Sequence, residues 1–285
     1  MRVSMVTATD IVLLHGQVEA LSRSSFEIPA GSVTALIGPN GSGKSTLLNA
    51  IAGLHEPASG TLVIRTPGGA EARIAYVLQV TKVNDALPVT VHEVVTMGRY
   101  GTVGRYRRLG PADRALVDDA IDRMGLADQR DRHLHDLSGG QRQRVFVAQG
   151  LAQDHDVLLL DEPLTGLDIV SARAIDEVIH DEQRRGCSVV ISTHDLSEAQ
   201  HADHVLLLAG AVVASGPPAE VLTQENLGMA YGTAVLHVDG ERLFVDDPAH
   251  RPVAGRHVHG ERTIHVEPST TDLHGTDDGP QPRRL

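Results

Sequence analysis

The chain of 285 residues sets 25 Lys and Arg against 37 Asp and Glu, a formal net charge of −12. It therefore lacks the basic footprint of a protein that coats nucleic acid. With 41% apolar residues it can bury a sizeable core, and its length suits one large domain with an extension. A lone cysteine, Cys187, excludes an intramolecular disulfide framework and fits a reducing compartment.

In chain order, residues 3–30 and 59–80 hold short strand candidates, such as 61–64 and 74–77, separated by Gly and Pro. They predict a small antiparallel sheet beside the core. Aliphatic runs at 33–37, 157–160 and 189–191 lack alternation, which predicts parallel strands buried on both faces. A helical pattern follows each run: 45–52, then 169–185 ended by Gly186, then 196–202. This alternation predicts a three-layer α/β domain. Residues 88–154 read as a helical subdomain. One of its helices opens at Pro111, a favoured first helical position, carries Val117, Ile121 and Met124 on one stripe, and ends at Gly125. Cys187, entering the run at 188–191, reads as core.

Neither a membrane span nor a secretion leader is expected. The longest nearly uncharged stretch, 205–214, is about half of the roughly 20 apolar residues a bilayer requires. Residues 11–14 are too short an apolar run for a signal peptide. The expectation is a cytoplasmic protein held against a membrane by a partner. The character changes after residue 230, giving a domain at 1–230 and a histidine-rich, partly disordered extension at 231–285. The run 237–242 recurs at 257–262 with His259 in place of Asp239, and Asp239-Gly240 signals a hairpin. His237, His250, His257, His259, His265 and His274 are candidate metal ligands of the extension, with Glu261 or Glu267 as further ligands.

Gly38-Pro39-Asn40-Gly41-Ser42-Gly43-Lys44-Ser45-Thr46 follows a strand and opens a helix, the context a phosphate-binding loop requires. Its glycines let backbone N–H groups approach phosphate oxygens, and the helix N-terminus adds partial positive charge. Lys44 would place an ammonium at the β- and γ-phosphates, and Ser45 would offer its hydroxyl to Mg²⁺. The strand at 157–160 delivers Asp161 and Glu162 to the carboxyl edge of the sheet. There Asp161 can hold Mg²⁺ through water and Glu162 can accept a proton from an attacking water. Two carboxylates ending a buried strand would otherwise incur desolvation for nothing. Leu137-Ser138-Gly139-Gly140-Gln141 opens a second helix start able to bind an anion. Two anion sites with one catalytic carboxylate indicate that the second serves a neighbouring copy's nucleotide.

With these motifs in order, residues ~10–225 resemble the ATP-binding subunit of an ABC transporter, a phosphate-loop NTPase core with an antiparallel β-subdomain and a helical subdomain. The resemblance implies Mg-ATP hydrolysis in a head-to-tail homodimer. It also implies that Gln79 contacts Mg²⁺ and senses the nucleotide, that the Thr165-Gly166-Leu167-Asp168 loop crosses the dimer interface, and that His194 touches the γ-phosphate. The family usually stacks an aromatic ring on adenine where this chain has His15, a smaller ring. Residues 86–95 and 97–100 lie where the family docks its permease. Their wording is similar to subunits of zinc and manganese importers, with iron-chelate uptake as the alternative. A permease and, indirectly, an extracytoplasmic solute-binding protein are thus implied as partners. A soluble relative acting on DNA or ribosomes would usually insert a long coiled coil or fuse two ATPase halves, and this chain has one phosphate loop and no sustained heptads.

Overall fold

A computed structural model describes residues 3–79, 88–104, 108–232, 236–239 and 242–245. Three short aliphatic strands, β3 (Val33–Ile37), β6 (Val157–Asp161) and β7 (Ser188–Thr193), are buried at every position. They join β5 (Ile74–Val77), β8 (His204–Leu208) and β9 (Val212–Gly216) in a six-stranded sheet ordered β5-β6-β7-β3-β8-β9. All neighbours from β5 to β8 are parallel, and β9 returns antiparallel along β8. The twofold side-chain period divides each strand between two cores. Leu158, Leu160, Val189 and Ile191 enter one; Val157, Leu159 and Val190 enter the other.

The second core is closed by α1 (Lys44–Ile51) and a three-stranded antiparallel sheet ordered β2-β1-β4, made of β1 (Ser4–His15), β2 (Val18–Pro29) and β4 (Ser59–Ile64). Residues 3–30 thus form two twelve-residue strands rather than several short ones. β1 stays continuous because a register shift between Ala8 and Ile11, with Asp10 at φ +50, absorbs the polar interruption. Ile74–Val77, expected in the antiparallel sheet, is instead the edge of the parallel one, paired from Ile74↔Val157 to Val77↔Leu160. The reason is two-sided cover: Ala75 and Val77 belong to one core while Ile74 and Tyr76 pack against the other. The stretch 205–214 folds across β8 and β9, turning at Gly210. No described helix is long and apolar enough to cross a membrane.

The first core is covered by α5 (Ile169–Arg184), α6 (Leu196–Gln200) and a helical subdomain of α2 (Val91–Val103), α3 (Pro111–Arg123) and α4 (Gly139–Leu151). Thr90 and Glu93 cap α2 reciprocally. Pro111 opens α3, whose Val117, Ile121 and Met124 are buried as expected, and Gly125 turns the chain away at φ +61. Cys187, expected in the core, is half-buried, because it lies between the turn that ends at Gly186 and the covered strand that begins at Ser188. In the extension, β10 (Leu236–Asp239) pairs antiparallel with β11 (Arg242–Val245), Asp239 opposite Arg242, as the turn signal in the first copy predicts. The second copy and the histidines from His250 to His274 lie outside the described residues, as does the His237 side chain.

Two ionic ties hold the helical subdomain. Buried Arg99 of α2 donates to Asp113 Oδ1 of α3 at 2.8 and 3.1 Å, and to the Ala152 carbonyl after α4 at 2.9 Å. Arg123, ending α3, donates to Asp181 at 2.8 Å and Glu182 at 2.5 Å on α5. Burial would raise the Glu182 carboxyl, but hydrogen bonds from His155 and Arg123 hold it at about 2. Arg99→Ala should lower unfolding free energy by about 3 kcal/mol, the low end for breaking a buried pair because Asp113 keeps some water. Urea denaturation measures it, and a loss below about 0.5 kcal/mol, the scale of an ordinary surface change, would contradict the tie.

Candidate active site

The loop after β3 is built around the entry to α1. Gly43 has φ +98, and a Cβ there would lie 2.5 Å from the Ala20 carbonyl, so β2 lies against the loop and only glycine fits. On the outer side, Gly41 at φ +78 faces open space. No acidic residue or side-chain cap occupies the first turn of α1, so no side chain claims its backbone N–H groups. Lys44 is buried, and its ammonium donates to the Gly38 carbonyl at 2.7 Å and the Pro39 carbonyl at 3.0 Å. Burial lowers its pKa, against the opposing pull of Glu162 and Asp161. Ser42 Oγ is buried without a hydrogen-bond partner. An uncapped helix start, a buried cation and an orphaned hydroxyl together fit a bound phosphate. Asn40 and Ser45 are exposed at the mouth of this loop, while Pro39 and Thr46 are half-buried.

Register brings the second set of groups together. Asp161, last in β6, stands beside Ser192 of β7. Ser192 Oγ donates to Asp161 Oδ1 and accepts from the Glu162 backbone N–H at 2.9 Å. Glu162 has φ +47, in the left-handed region that costs a non-glycine residue about 1–3 kcal/mol. Pro163 disfavours the right-handed alternative, and the Ser192 bond holds what remains. Gln79, beyond β5, donates Nε2 to Glu162 Oε2 at 2.9 Å. His194, beyond β7, has Nδ1 3.9 Å from the same oxygen. The sequence-predicted Gln79, Asp161, Glu162 and His194 therefore meet at one carboxyl edge, within electrostatic reach of Lys44.

The second anion-binding start is a separate unit. Ser138 caps α4 by accepting from the Gln141 N–H, and Gln141 Oε1 accepts from the Ser138 N–H at 3.0 Å. Gly139 faces open space, whereas a Cβ on Gly140 would lie 2.5 Å from both Asp168 Oδ2 and Ser171 Oγ. Asp168 caps α5 by accepting from the Ser171 N–H at 2.9 Å and hydroxyl at 3.0 Å, bonds that lower its pKa. The Ser138 turn and the Thr165–Asp168 loop are thus packed on each other. His15 lies exposed at the turn joining β1 to β2, opposite the exposed Val18, on the hairpin whose Ala20 backs onto Gly43.

Sequence reasoning missed Ser192 and Ser171. A serine inside a fully buried strand, as Ser192 is, signals a buried hydroxyl that needs a partner, but only the strand register identifies Asp161 as that partner. Ser171, three residues after Asp168, fits a helix-cap pattern, although its contact with Gly140 has no local signature.

A family model described as ABC transporter matches residues 21–165. The chain is 41% identical over 225 residues to the chelated iron transport system membrane protein YfeB of Yersinia pestis, covering 77% of this chain and 76% of that one. It is 41% identical over 248 residues to the zinc transport system ATP-binding protein TroB of Treponema pallidum, covering 85% and 93%. Among solved structures, the dimeric bacterial ABC transporter cassette MJ0796 superposes with a TM-score of 0.65 at 26% identity, covering 75% of this chain and 99% of that one.

Ser192→Ala removes the two bonds that tie Asp161 and the Glu162 backbone to β7 without touching the loop from Gly38 to Thr46. Nucleotide turnover should fall about tenfold or more, as losses of outer-shell support do, with nucleotide affinity unchanged. Steady-state hydrolysis and equilibrium binding check this, and unaltered turnover would show that Glu162 holds its place without Ser192.

Proposed function

Because this chain belongs to the ABC transporter family and is an ATPase of that class, we propose that it powers a membrane permease importing zinc or manganese, as one of two copies that share their nucleotide sites. The observation that carries the reading is the convergence of Gln79, Asp161, Glu162 and His194 at the edge beside Lys44. The loop from Gly38 to Thr46 takes the phosphates on backbone N–H groups, with Lys44 turning from the loop carbonyls toward them. Glu162 accepts the proton of the attacking water, and Gln79 and His194 orient its carboxylate and that water. The exposed Ser45 hydroxyl, the Asp161 carboxylate and the Gln79 carbonyl oxygen are oxygen donors of the kind Mg²⁺ takes, and would hold it. Bound there, Mg²⁺ would supply positive charge against the phosphates.

Ser138, Gly139, Gly140 and Gln141 meet the γ-phosphate held by the other copy, with Asp168 crossing the interface beside them. Their mutual packing supports this reading, since it presents one helix start together with the loop that flanks it. His15 lies against adenine from the hairpin tip. Residues 1–230 form the ATP-binding domain, with 88–154 as its helical subdomain, and 231–285 is its histidine-rich extension, of which 231–247 cluster with the domain.

The subunit sits on the inner face of the cell membrane. Exposed Leu78, Met97 and Tyr100, near Gln79 and on α2, support docking of the permease there; residues 86 and 87 of the proposed docking run lie outside the described residues. A solute-binding protein would act through that permease. The net charge of −12 gives nucleic acid no footing. Iron-chelate uptake is the second reading, favoured by the relative named for chelated iron transport.

Glu162→Gln should lower ATP turnover by ~10²–10⁴ while leaving ATP binding intact, as the loss of a general base does. Cells carrying only this variant should accumulate less zinc or manganese, read by elemental analysis. Near-normal turnover would remove Glu162 from its role, and loss of iron alone would replace the proposed cargo with an iron chelate.

A further inference from the structure

The buried ion-pair seam between α3 and α5 holds three side chains that the nucleotide chemistry does not use. His155 lies in the turn between α4 and β6, Glu182 in the last turn of α5, and Cys187 just before β7. One ligand atom from each, the imidazole nitrogen, a carboxylate oxygen and the thiol sulfur, lies within 4.8 Å of the others. We propose that His155, Glu182 and Cys187 form a binding site for a thiophilic divalent cation, Zn²⁺ above all, separate from both the Mg-ATP site and the transport pathway.

Three observations support it. The first is spacing. Bonds of 2.0–2.3 Å in a tetrahedral zinc site place ligand atoms roughly 3.3–3.8 Å apart, so closure needs shifts of about 1 Å, within side-chain reach. The second is the surrounding shell. His155 Nδ1 lies 2.8 Å from the Gln153 carbonyl, which directs Nε2 at Glu182 Oε2, 2.9 Å away. Glu182 Oε1 is held separately by Arg123 at 2.5 Å, and the Cys187 N–H donates to the Glu182 carbonyl at 3.0 Å. The imidazole and the carboxylate are therefore each oriented by a second contact that metal binding need not break, as metal sites require.

The third is protonation. Gln153 O can only accept, and Oε2 is a carboxylate oxygen that accepts, so both His155 nitrogens carry hydrogen in this state. A cation entering between Nε2 and Oε2 takes the place of the imidazolium proton. The Cys187 thiol loses its proton as sulfur binds, so two protons leave for each ion bound. The His155 and Glu182 side chains are 6% and 4% exposed, while Cys187 is half-buried and gives a way in from solvent. A fourth position is left for water. Thiolate with imidazole selects Zn²⁺ or Co²⁺ over Mn²⁺, whatever ion the permease carries.

Because Cys187 is the only cysteine of the chain, a thiolate-to-metal absorption band reports this site alone, undisturbed by the histidines of the extension. The full-length protein is titrated with Co²⁺. The expected result is a charge-transfer band saturating at one ion per chain, displaced by equimolar Zn²⁺ and not by equimolar Mn²⁺. Cys187→Ser should abolish the band. His155→Gln, which keeps a hydrogen-bonding side chain in place, should weaken Co²⁺ affinity more than about tenfold. Absence of the band at millimolar Co²⁺ would overturn the site and leave the trio as an ion pair beside a thiol. Equal affinity in His155→Gln would overturn it too, showing that Cys187 binds without its neighbours. Both readouts concern binding to the isolated protein, so they stand or fall independently of the cargo assignment.

Discussion

The parallel pairing of β3, β6 and β7 is the constraint on which the active edge depends. It sets Ile37 beside Thr193 and Asp161 beside Ser192, so the phosphate loop, the carboxylate pair and the histidine leave the sheet at one level. The strands are buried at every position, and a slip of one residue would exchange the side chains of two filled cores. The side chains at their ends are therefore positioned by the sheet itself. The left-handed backbone of Glu162 is tolerable in that setting: burial and register over-determine the strand, and the Ser192 hydroxyl holds the strained N–H.

What the sequence made legible is what is local. The phosphate loop, the carboxylate pair, the helix start at Ser138 and the α3 boundaries each fit within a few residues, so spacing alone identifies them. Partners across the fold were not legible in the same way. A four-residue apolar run such as Ile74–Val77 carries no mark of which sheet receives it, and the answer lies in what covers its two faces. Residues 3–30 read as short strand candidates, yet a bulge at Asp10 carries β1 through as one strand. Ser192 acquires its role only from the register opposite Asp161. His155, Glu182 and Cys187 come from three separate stretches of the chain, so no spacing rule joins them.

The helical subdomain is tied to the core at points that bear on both nucleotide contacts. Arg99 locks α2 to α3 and the end of α4, while Arg123 reaches from α3 to α5. At the far end of α5, Asp168 packs on Gly140 at the start of α4. A displacement of the Ser138 turn must therefore carry the Asp168 loop with it, which suits a surface that meets the second copy as one unit.

Composite nucleotide sites are the central claim, and complementation between two inactive variants tests it most directly. Lys44→Ala removes the phosphate ammonium and Ser138→Arg blocks the helix start that would serve the other copy's nucleotide, so a homodimer of either variant has no complete site. A mixed dimer has one, formed by Lys44 of the second variant and Ser138 of the first. The account predicts ATP hydrolysis in the mixture and none in either variant alone. No recovery in a mixture whose mixed dimers are demonstrated would contradict it.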